Sequence, residues 1–257
     1  HHNPPGPRIR NLDEIPSPYS TGLFNELMKS VSDEEWLVLW ETNRGCPFAC
    51  TFCDWGSATQ SKVFQFGEDR LEQELAWISK KKIEFMFCCD ANFGILKRDL
   101  NIARRAAAIS VETGHPKALS VQNTKNATDR AYETQKVLAD AGLNKGVTLA
   151  LQTLYEPALK STKRENISLQ TYEKLQHLFV MDKIPTYSDL ILGLPGETYD
   201  SFADGVSTVI ENGQALRLVP GSVEVVAEVR SGRCFVDGDV VVPANDDVIR
   251  MRRKLSF

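Results

Sequence analysis

The 257-residue chain reads as an α/β protein. The arrangement predicted is a partial (β/α)6-type barrel of parallel strands with outer helices, plus an irregular N-terminal linker and a β-rich C-terminal tail. Three observations lead there. Apolar runs of strand length alternate with segments of helical periodicity five times in succession. The loops joining them are short, which for successive strand–helix units implies parallel strands with helices outside. The two ends break the pattern, one through Pro and Gly, the other through loosely alternating apolar residues.

Residues 1–34 are punctuated by Pro4, Pro5, Gly6, Pro7, Pro16 and Pro18 and read as a linker leading into a domain. The regular core follows over residues 35–213. Trp36 to Glu41 (WLVLWE) is a continuous apolar run of strand length, and Leu71, Leu75 and Ile78 repeat at helical spacing within Glu68 to Lys82. Ile83 to Cys89 (IEFMFCC) reads as a buried strand, followed by an Ala-rich helix over Arg98 to Glu112 that Gly114 and Pro116 terminate. Ala118 to Gln122 is a strand, Ala127 to Ala141 a helix closed by Gly142, and Gly146 to Gln152 a strand. Leu169 to Met181 is a helix, Thr186 to Leu192 a strand, and Ser201 to Asn212 a helix ended by Gly213. In the tail, residues 214–257, Val223 to Val229 alternates, and an Asp-Gly pair within Phe235 to Val240 predicts a β-hairpin.

Composition narrows the function classes. A hydrophobic content of 42% with 25% charged residues is that of a globular protein, and the longest apolar runs are too short to span a bilayer. The start of the chain has no apolar signal core, which predicts a cytoplasmic protein without a membrane partner. A net charge of −4 argues against a nucleic-acid partner, and the basic runs Lys80–Lys82 and Arg250–Lys254 read as solvated faces. The six cysteines do not have the spread of a disulfide scaffold and suggest metal use in a reducing compartment. Three of them, Cys46, Cys50 and Cys53, lie in RGCPFACTFCDWG with the spacing C-x3-C-x2-C. Such a triplet arises by chance only ~0.003 times in a chain of this composition.

In an α/β fold of this kind, ligand-binding loops lie at the C-terminal ends of the strands. The distinctive motifs fall there: the cysteine loop after the first strand, CDANFG after the second, QNTKN after the third, LQT on the fourth and GLPGET after the fifth. Three closely spaced thiolates suit three positions of one zinc ion, which would need a fourth ligand such as Cys88 or Cys89. They equally suit three irons of a four-iron cluster whose fourth iron stays open. Adjacent cysteines inside an apolar strand more often behave as small hydrophobes.

CPFACTFC resembles the C-x3-C-x-aromatic-C signature of the radical S-adenosylmethionine (SAM) superfamily, with Phe52 as the aromatic residue. The resemblance covers Leu12 to about Asn212. It implies a 4Fe-4S cluster on Cys46, Cys50 and Cys53, with its open iron chelated by SAM. It also implies reductive cleavage of SAM to a 5′-deoxyadenosyl radical that abstracts hydrogen from substrate. A small-molecule substrate and a reducing partner such as a flavodoxin or ferredoxin go with this chemistry. CDANFG occupies the place of a GGE-like motif that holds the SAM amino group, which implies contacts from Asp90, Ala91 and Asn92. Gln152 is implied as a hydrogen bonder to the SAM ribose, and Gly193 within GLPGET lines the adenine side. Arg164, in LKSTKREN, is implied either to approach the SAM carboxylate or to brace the loop.

LDEIPSPYSTGLF followed by WETNRGCPFACTFCDWG looks like the junction in members with an upstream cobalamin-binding domain. That domain is absent here, so bound cobalamin is implied only for a longer parent protein, where methylation would be the leading chemistry. No catalytic side chain or substrate is identified. The alternatives are a zinc-binding structural or interaction domain, and an α/β enzyme holding phosphate at GLPGET. Trp55 reads as packing over the cluster. Gln122 and Asn123, at a strand end, either touch SAM or substrate or satisfy loop backbone.

Overall fold

The computed structural model describes residues 9–31, 34–55, 62–126, 129–144, 146–212, 215–220, 234–237 and 240–243. The alternating stretch Val223 to Val229, the hairpin's turn residues and the basic run Arg250–Lys254 lie outside them.

The first sheet has the order β1 (Leu37–Trp40), β4 (Phe85–Cys88), β5 (Ala118–Ser120), all parallel. The second runs β6 (Val147–Thr148), β7 (Thr186–Leu192), β8 (Ala215–Pro220), again parallel, and continues into the antiparallel pair β10 (Val240–Pro243) and β9 (Cys234–Asp237). A small antiparallel pair, β2 (Asn43–Arg44) with β3 (Phe64–Gln65), flanks the cysteine loop. The connecting helices are α2 (Glu68–Lys80), α3 (Asp99–Thr113), α4 (Asp129–Asp140), α5 (Glu156–Ser161), α6 (Leu169–Met181) and α7 (Tyr199–Glu211), with α1 (Asn25–Ser30) before the first strand. The α/β partial barrel read from the alternation is therefore present. Its sixth parallel strand is β8, which pairs with β7 from Tyr187 opposite Ala215 to Leu192 opposite Pro220.

Helix boundaries follow local chemistry. Gly114, at φ 78°, stops α3 by donating its N–H to the Ser110 carbonyl. The start of α7 is two residues earlier than periodicity alone predicts, because Thr198 and Ser201 form a capping box. The core forms two clusters. One packs Val38, Trp40, Met86, Cys88 and Leu119 from the first sheet against Leu71, Leu75 and Ile78 of α2 and Ile102, Ala103 and Ala106 of α3. The other packs Val147, Leu149 and Leu190 against Tyr172, Leu175 and Phe179 of α6 and Phe202, Val206 and Val209 of α7. Each large apolar side chain so buried contributes roughly 1.5–3 kcal/mol. Trp40 is fully buried, and its indole N–H donates to Glu74 Oε2 at 3.0 Å, while Arg70 holds the other Glu74 oxygen at 2.9 Å.

The apolar run of the first strand is buried on one face only. Val38 and Trp40 lie under the helices, whereas Leu37 and Leu39 are 54% and 59% exposed. The N-terminal segment also carries more than its Pro-rich composition suggests. Leu12 and Tyr19 belong to the first core cluster, and the Tyr19 hydroxyl donates to the Leu39 carbonyl on the outer edge of β1. Asp13 Oδ1 accepts from the N–H of Gly67, the residue that caps α2, at 2.8 Å.

Candidate functional site

The five motif loops all leave the C-terminal ends of their strands, and hydrogen bonds join them side by side. The junction is the DANFG loop after β4. Asp90 is fully buried and accepts from four donors: Thr42 N at 2.8 Å, Asn43 N at 3.1 Å, Asn43 Nδ2 at 2.7 Å and the Thr42 hydroxyl. Its oxygens are thus taken by the two residues that lead into the cysteine loop. Burial pushes its carboxyl up to about 6, against the pull of these donors. The Thr42 carbonyl in turn accepts from Arg98 Nη2 at 2.6 Å and Phe66 N at 3.1 Å. At the far end of the loop, Asp99 Oδ2 accepts from Gly94 N at 2.8 Å and Leu96 N at 2.9 Å. Gly94 has φ 96°, and a Cβ there would meet the Ala131 backbone at 3.2 Å, so the close approach of this loop to α4 requires glycine.

Asn92 connects this junction to the thiols. Its Oδ1 accepts from Lys125 N at 3.3 Å in the third loop, and its Nδ2 donates to Cys46 Sγ at 3.1 Å. Because a backbone N–H takes the oxygen end, the amide's NH2 end faces the sulfur. Phe93, fully buried, pairs with Asn123 in a parallel bridge and donates its N–H to the Gln122 carbonyl at 2.7 Å. Asn123 reaches the next sheet, donating from Nδ2 to the Thr148 carbonyl at 3.2 Å.

On the other side of the cysteine loop, Thr51 N donates to the Thr162 carbonyl at 2.9 Å. This bond brings Arg164 to the thiols. Arg164 is 4% exposed, with Nε on Asn166 Oδ1 at 2.8 Å and Nη2 on the Ala150 carbonyl at 2.7 Å. Burial pulls its guanidinium below the ordinary arginine range, opposed by the neighbouring Cys50, Cys46 and Cys53. Cys46 and Cys50 are buried, and Cys53 is half-buried.

The fourth strand is interrupted. Thr148 pairs with Tyr187 but Gln152 pairs with Leu190, so one residue of the first segment is left over as a bulge. Gln152 takes φ 67°, an uncommon conformation for a non-glycine residue, while its backbone bonds Asp189 O and Ile191 N at 2.8 and 2.7 Å. Beside it the Thr153 hydroxyl donates to Glu197 Oε1, and Glu197 Oε2 is buried without a hydrogen-bond partner. Gly193, at φ 81°, is exposed and opens onto free space.

The structure therefore gathers Cys46, Cys50, Asn92 and Arg164 directly, through the contacts above. Ala91 lies in the same junction and is buried, while Phe52 and Trp55 are exposed at 37% and 47%. Asp90, expected at the SAM amino group, is enclosed by Thr42 and Asn43 instead, and the Asn92 amide, expected there too, serves Cys46 and Lys125. Thr42, Asn43, Arg98, Asp99 and Glu197 escape sequence reasoning. Only Asp99 carries a signal, an acidic residue in a helix's first turn after a Gly-containing loop.

The donor set suits a thiolate-bound cluster: three thiols on one loop, with a buried N–H donor on Cys46. Among the described residues no three His, Cys, Asp or Glu side chains, the three cysteines included, gather within reach of a single metal ion. Cys88, a possible fourth zinc ligand, is packed in the hydrophobic core.

Comparison with known proteins agrees with this geometry. The model of the Radical SAM superfamily matches residues 40–208. The chain is 44% identical over 211 residues to a 2-(S-pantetheinyl)-carbapenam-3-carboxylate methyltransferase from Streptantibioticus cattleyicolor, covering 81% of this chain and 31% of that protein. It is 42% identical over 212 residues to the cobalamin-dependent radical SAM methyltransferase TokK from Streptomyces tokunonensis, covering 82% and 31%. The chain thus spans about a third of the length of the curated relatives it matches. Among solved structures, the radical SAM methyltransferase TsrM from Kitasatospora setae with cobalamin and a 4Fe-4S cluster superposes with a TM-score of 0.62 at 20% identity. That match covers 73% of this chain and 34% of TsrM, and it shows a shared fold. Three cysteines at this spacing on a partial barrel, and the extent of these matches, establish that the chain belongs to the radical SAM superfamily.

Proposed function

We propose that this chain is the radical SAM core of a cobalamin-dependent methyltransferase acting on a small molecule, with a 4Fe-4S cluster on Cys46, Cys50 and Cys53. The observation that carries the reading is the buried Asn92 amide, whose NH2 donates to Cys46 Sγ at 3.1 Å on a loop with two further thiols. When bound, the cluster and SAM supply reductive cleavage of SAM to methionine and a 5′-deoxyadenosyl radical, and cobalamin in the longer parent supplies methyl carriage. The chain's residues position and shield. Phe52 flanks the last ligand, the Ala91 backbone and Gln152 line the SAM side of the barrel mouth, and Gly193 leaves room for the adenine. Asp90 holds the mouth of the cysteine loop and does not contact the cofactor. A reducing compartment such as the cytoplasm, with a flavodoxin or ferredoxin as electron donor, suits these thiols; no described helix is long and apolar enough to cross a membrane.

Anaerobic reconstitution tests the core of this reading. About four iron and four sulfide per chain are expected, lost when Cys46, Cys50 and Cys53 are all changed to Ala. The loaded chain binds SAM and, given a reductant, releases 5′-deoxyadenosine. A single tightly bound zinc with no sulfide refutes the reading. For the parent protein, 2-(S-pantetheinyl)-carbapenam-3-carboxylate is the first substrate to try, with transfer of a labelled methyl group as the readout.

A further inference from the structure

The two donors at the thiols are built more firmly than ligand orientation alone requires. Asn92 is 2% exposed, and the Lys125 N–H fixes which end of its amide meets Cys46. Arg164 is held from two sides: by the Ala150 carbonyl, and by Asn166, which itself donates to the Thr153 carbonyl at 2.8 Å. The bond from Thr51 N to the Thr162 carbonyl ties the ligand loop to the segment carrying Arg164. The guanidinium keeps further N–H groups after those two bonds, beside the ligand loop. Both donors sit where water does not replace them, so each is worth more than its solvated equivalent.

We propose that the Asn92 amide, bonded to Cys46, and the Arg164 guanidinium, held by the Ala150 carbonyl beside the ligand loop, form a clamp on the cluster's sulfur ligands that raises the cluster's reduction potential. The inference rests on the cluster reading above and deepens it. Reduction adds one electron to the cluster, supplied by an external one-electron donor, and no bond is made or broken in the protein. The added negative charge spreads onto the sulfurs, where fixed donors and a guanidinium stabilise the reduced state over the oxidised one. Asn92 and Arg164 are positioning residues in this role, acting through the thiolates. The motif resemblance instead assigned Asn92 to SAM, and left Arg164 either on the SAM carboxylate or bracing the loop.

The test is a redox titration of the reconstituted chain without SAM, monitored by the electron paramagnetic resonance of the reduced cluster. Asn92→Ala and Arg164→Gln are each expected to weaken the preference for the reduced state about tenfold, a midpoint lowered by ~59 mV for one electron. Arg164→Lys is expected to fall between Arg164→Gln and the unsubstituted chain, with iron and sulfide content unchanged. Unchanged midpoints in SAM-free protein overturn the clamp. So does a shift for Arg164→Gln that appears only once SAM is added, since that places the guanidinium on the SAM carboxylate. If Arg164→Gln does not retain iron, Asn92→Ala and Arg164→Lys decide on the same terms. Failure of the unsubstituted chain to load about four iron overturns the cluster reading itself, and the clamp with it.

Discussion

Asp90 offers the sharpest test of how the ligand loop is held. Replacing it by Ala removes both oxygens from a site where Thr42 N, Asn43 N, Asn43 Nδ2 and the Thr42 hydroxyl converge. The two side-chain donors can turn elsewhere, but the two backbone N–H groups are fixed by the strand and its turn. An orphaned buried donor costs about 1–3 kcal/mol, and a water admitted to the vacated space recovers part of that. The expected loss is about 3 kcal/mol for Asp90→Ala at neutral pH. Asp90→Asn keeps one oxygen for the two backbone donors. Its NH2 then faces the Thr42 hydroxyl, which can accept, and the Asn43 amide, which can flip, so its cost is about 1 kcal/mol. Urea unfolding of the metal-free chain measures both. Iron content after identical reconstitution gives a second reading, with Asp90→Ala well below Asp90→Asn, because the mouth of the cysteine loop is no longer fixed. Equal costs for Ala and Asn, or an Ala variant as stable as the parent chain, would show that the four donors do not hold the loop.

Other tests follow from the same coordinates. Burial raises the Asp90 carboxyl from 3.8 to about 6, so the folded state binds the proton more tightly than the unfolded one. The stability linked to that proton is full below about 3.8 and lost as pH rises through about 6. Unfolding free energies of the parent chain and Asp90→Asn, compared at pH 4 and pH 7, should therefore differ more at pH 4, by roughly 2 kcal/mol; a gap that widens toward pH 7 would mean the four donors outweigh burial. Gly94→Ala, which meets the Ala131 backbone at 3.2 Å and strains φ 96°, should cost about 2 kcal/mol. Gly142→Ala, at φ 71° with open space around the added methyl, should cost about half that, and equal losses would remove the contact with α4 from the account. Thr198→Ala breaks the capping box of α7 and should cost about 1 kcal/mol in the same assay, with no effect if the helix start is held by packing alone.

The elements were legible where periodicity and punctuation agreed. α6 occupies the predicted Leu169–Met181, and β7 the predicted Thr186–Leu192. The fourth strand was less legible, since nothing in GVTLALQ marks the bulge that leaves Val147–Thr148 as the only regular segment before Gln152. The sixth strand lies in ALRLVP, six residues placed by the sequence reading in the tail, and it is identified by its pairing with β7. In the site, the three cysteines stood out because chemistry needs that residue at that spacing. Thr42 and Asn43 could not stand out, since each is an ordinary loop residue until a carboxylate about 50 positions away is folded beside it.

That separation explains the division of labour among the motif residues. Spacing along the chain reports ligands that share a loop, and so it points to Cys46, Cys50 and Cys53. Residues from other strands reach the same point only through the fold, so their roles follow from the donor or acceptor left to each after packing. Asp90 has acceptors only, all four donors around it come from the backbone and side chains of Thr42 and Asn43, and it therefore braces. Asn92 has an acceptor taken by Lys125 and a donor left over, and it therefore serves Cys46. Arg164 can only donate, and with one edge on Asn166 and Ala150 it keeps N–H groups to spare beside the ligand loop. Of the side chains expected around SAM, Gln152 keeps both an acceptor and a donor without competing claims among the hydrogen bonds above, beside the partly buried Glu197 carboxylate that Thr153 holds. Asn92, from the loop after the second strand, and Arg164, from the segment beyond the fourth, thus approach the cysteine loop from two sides.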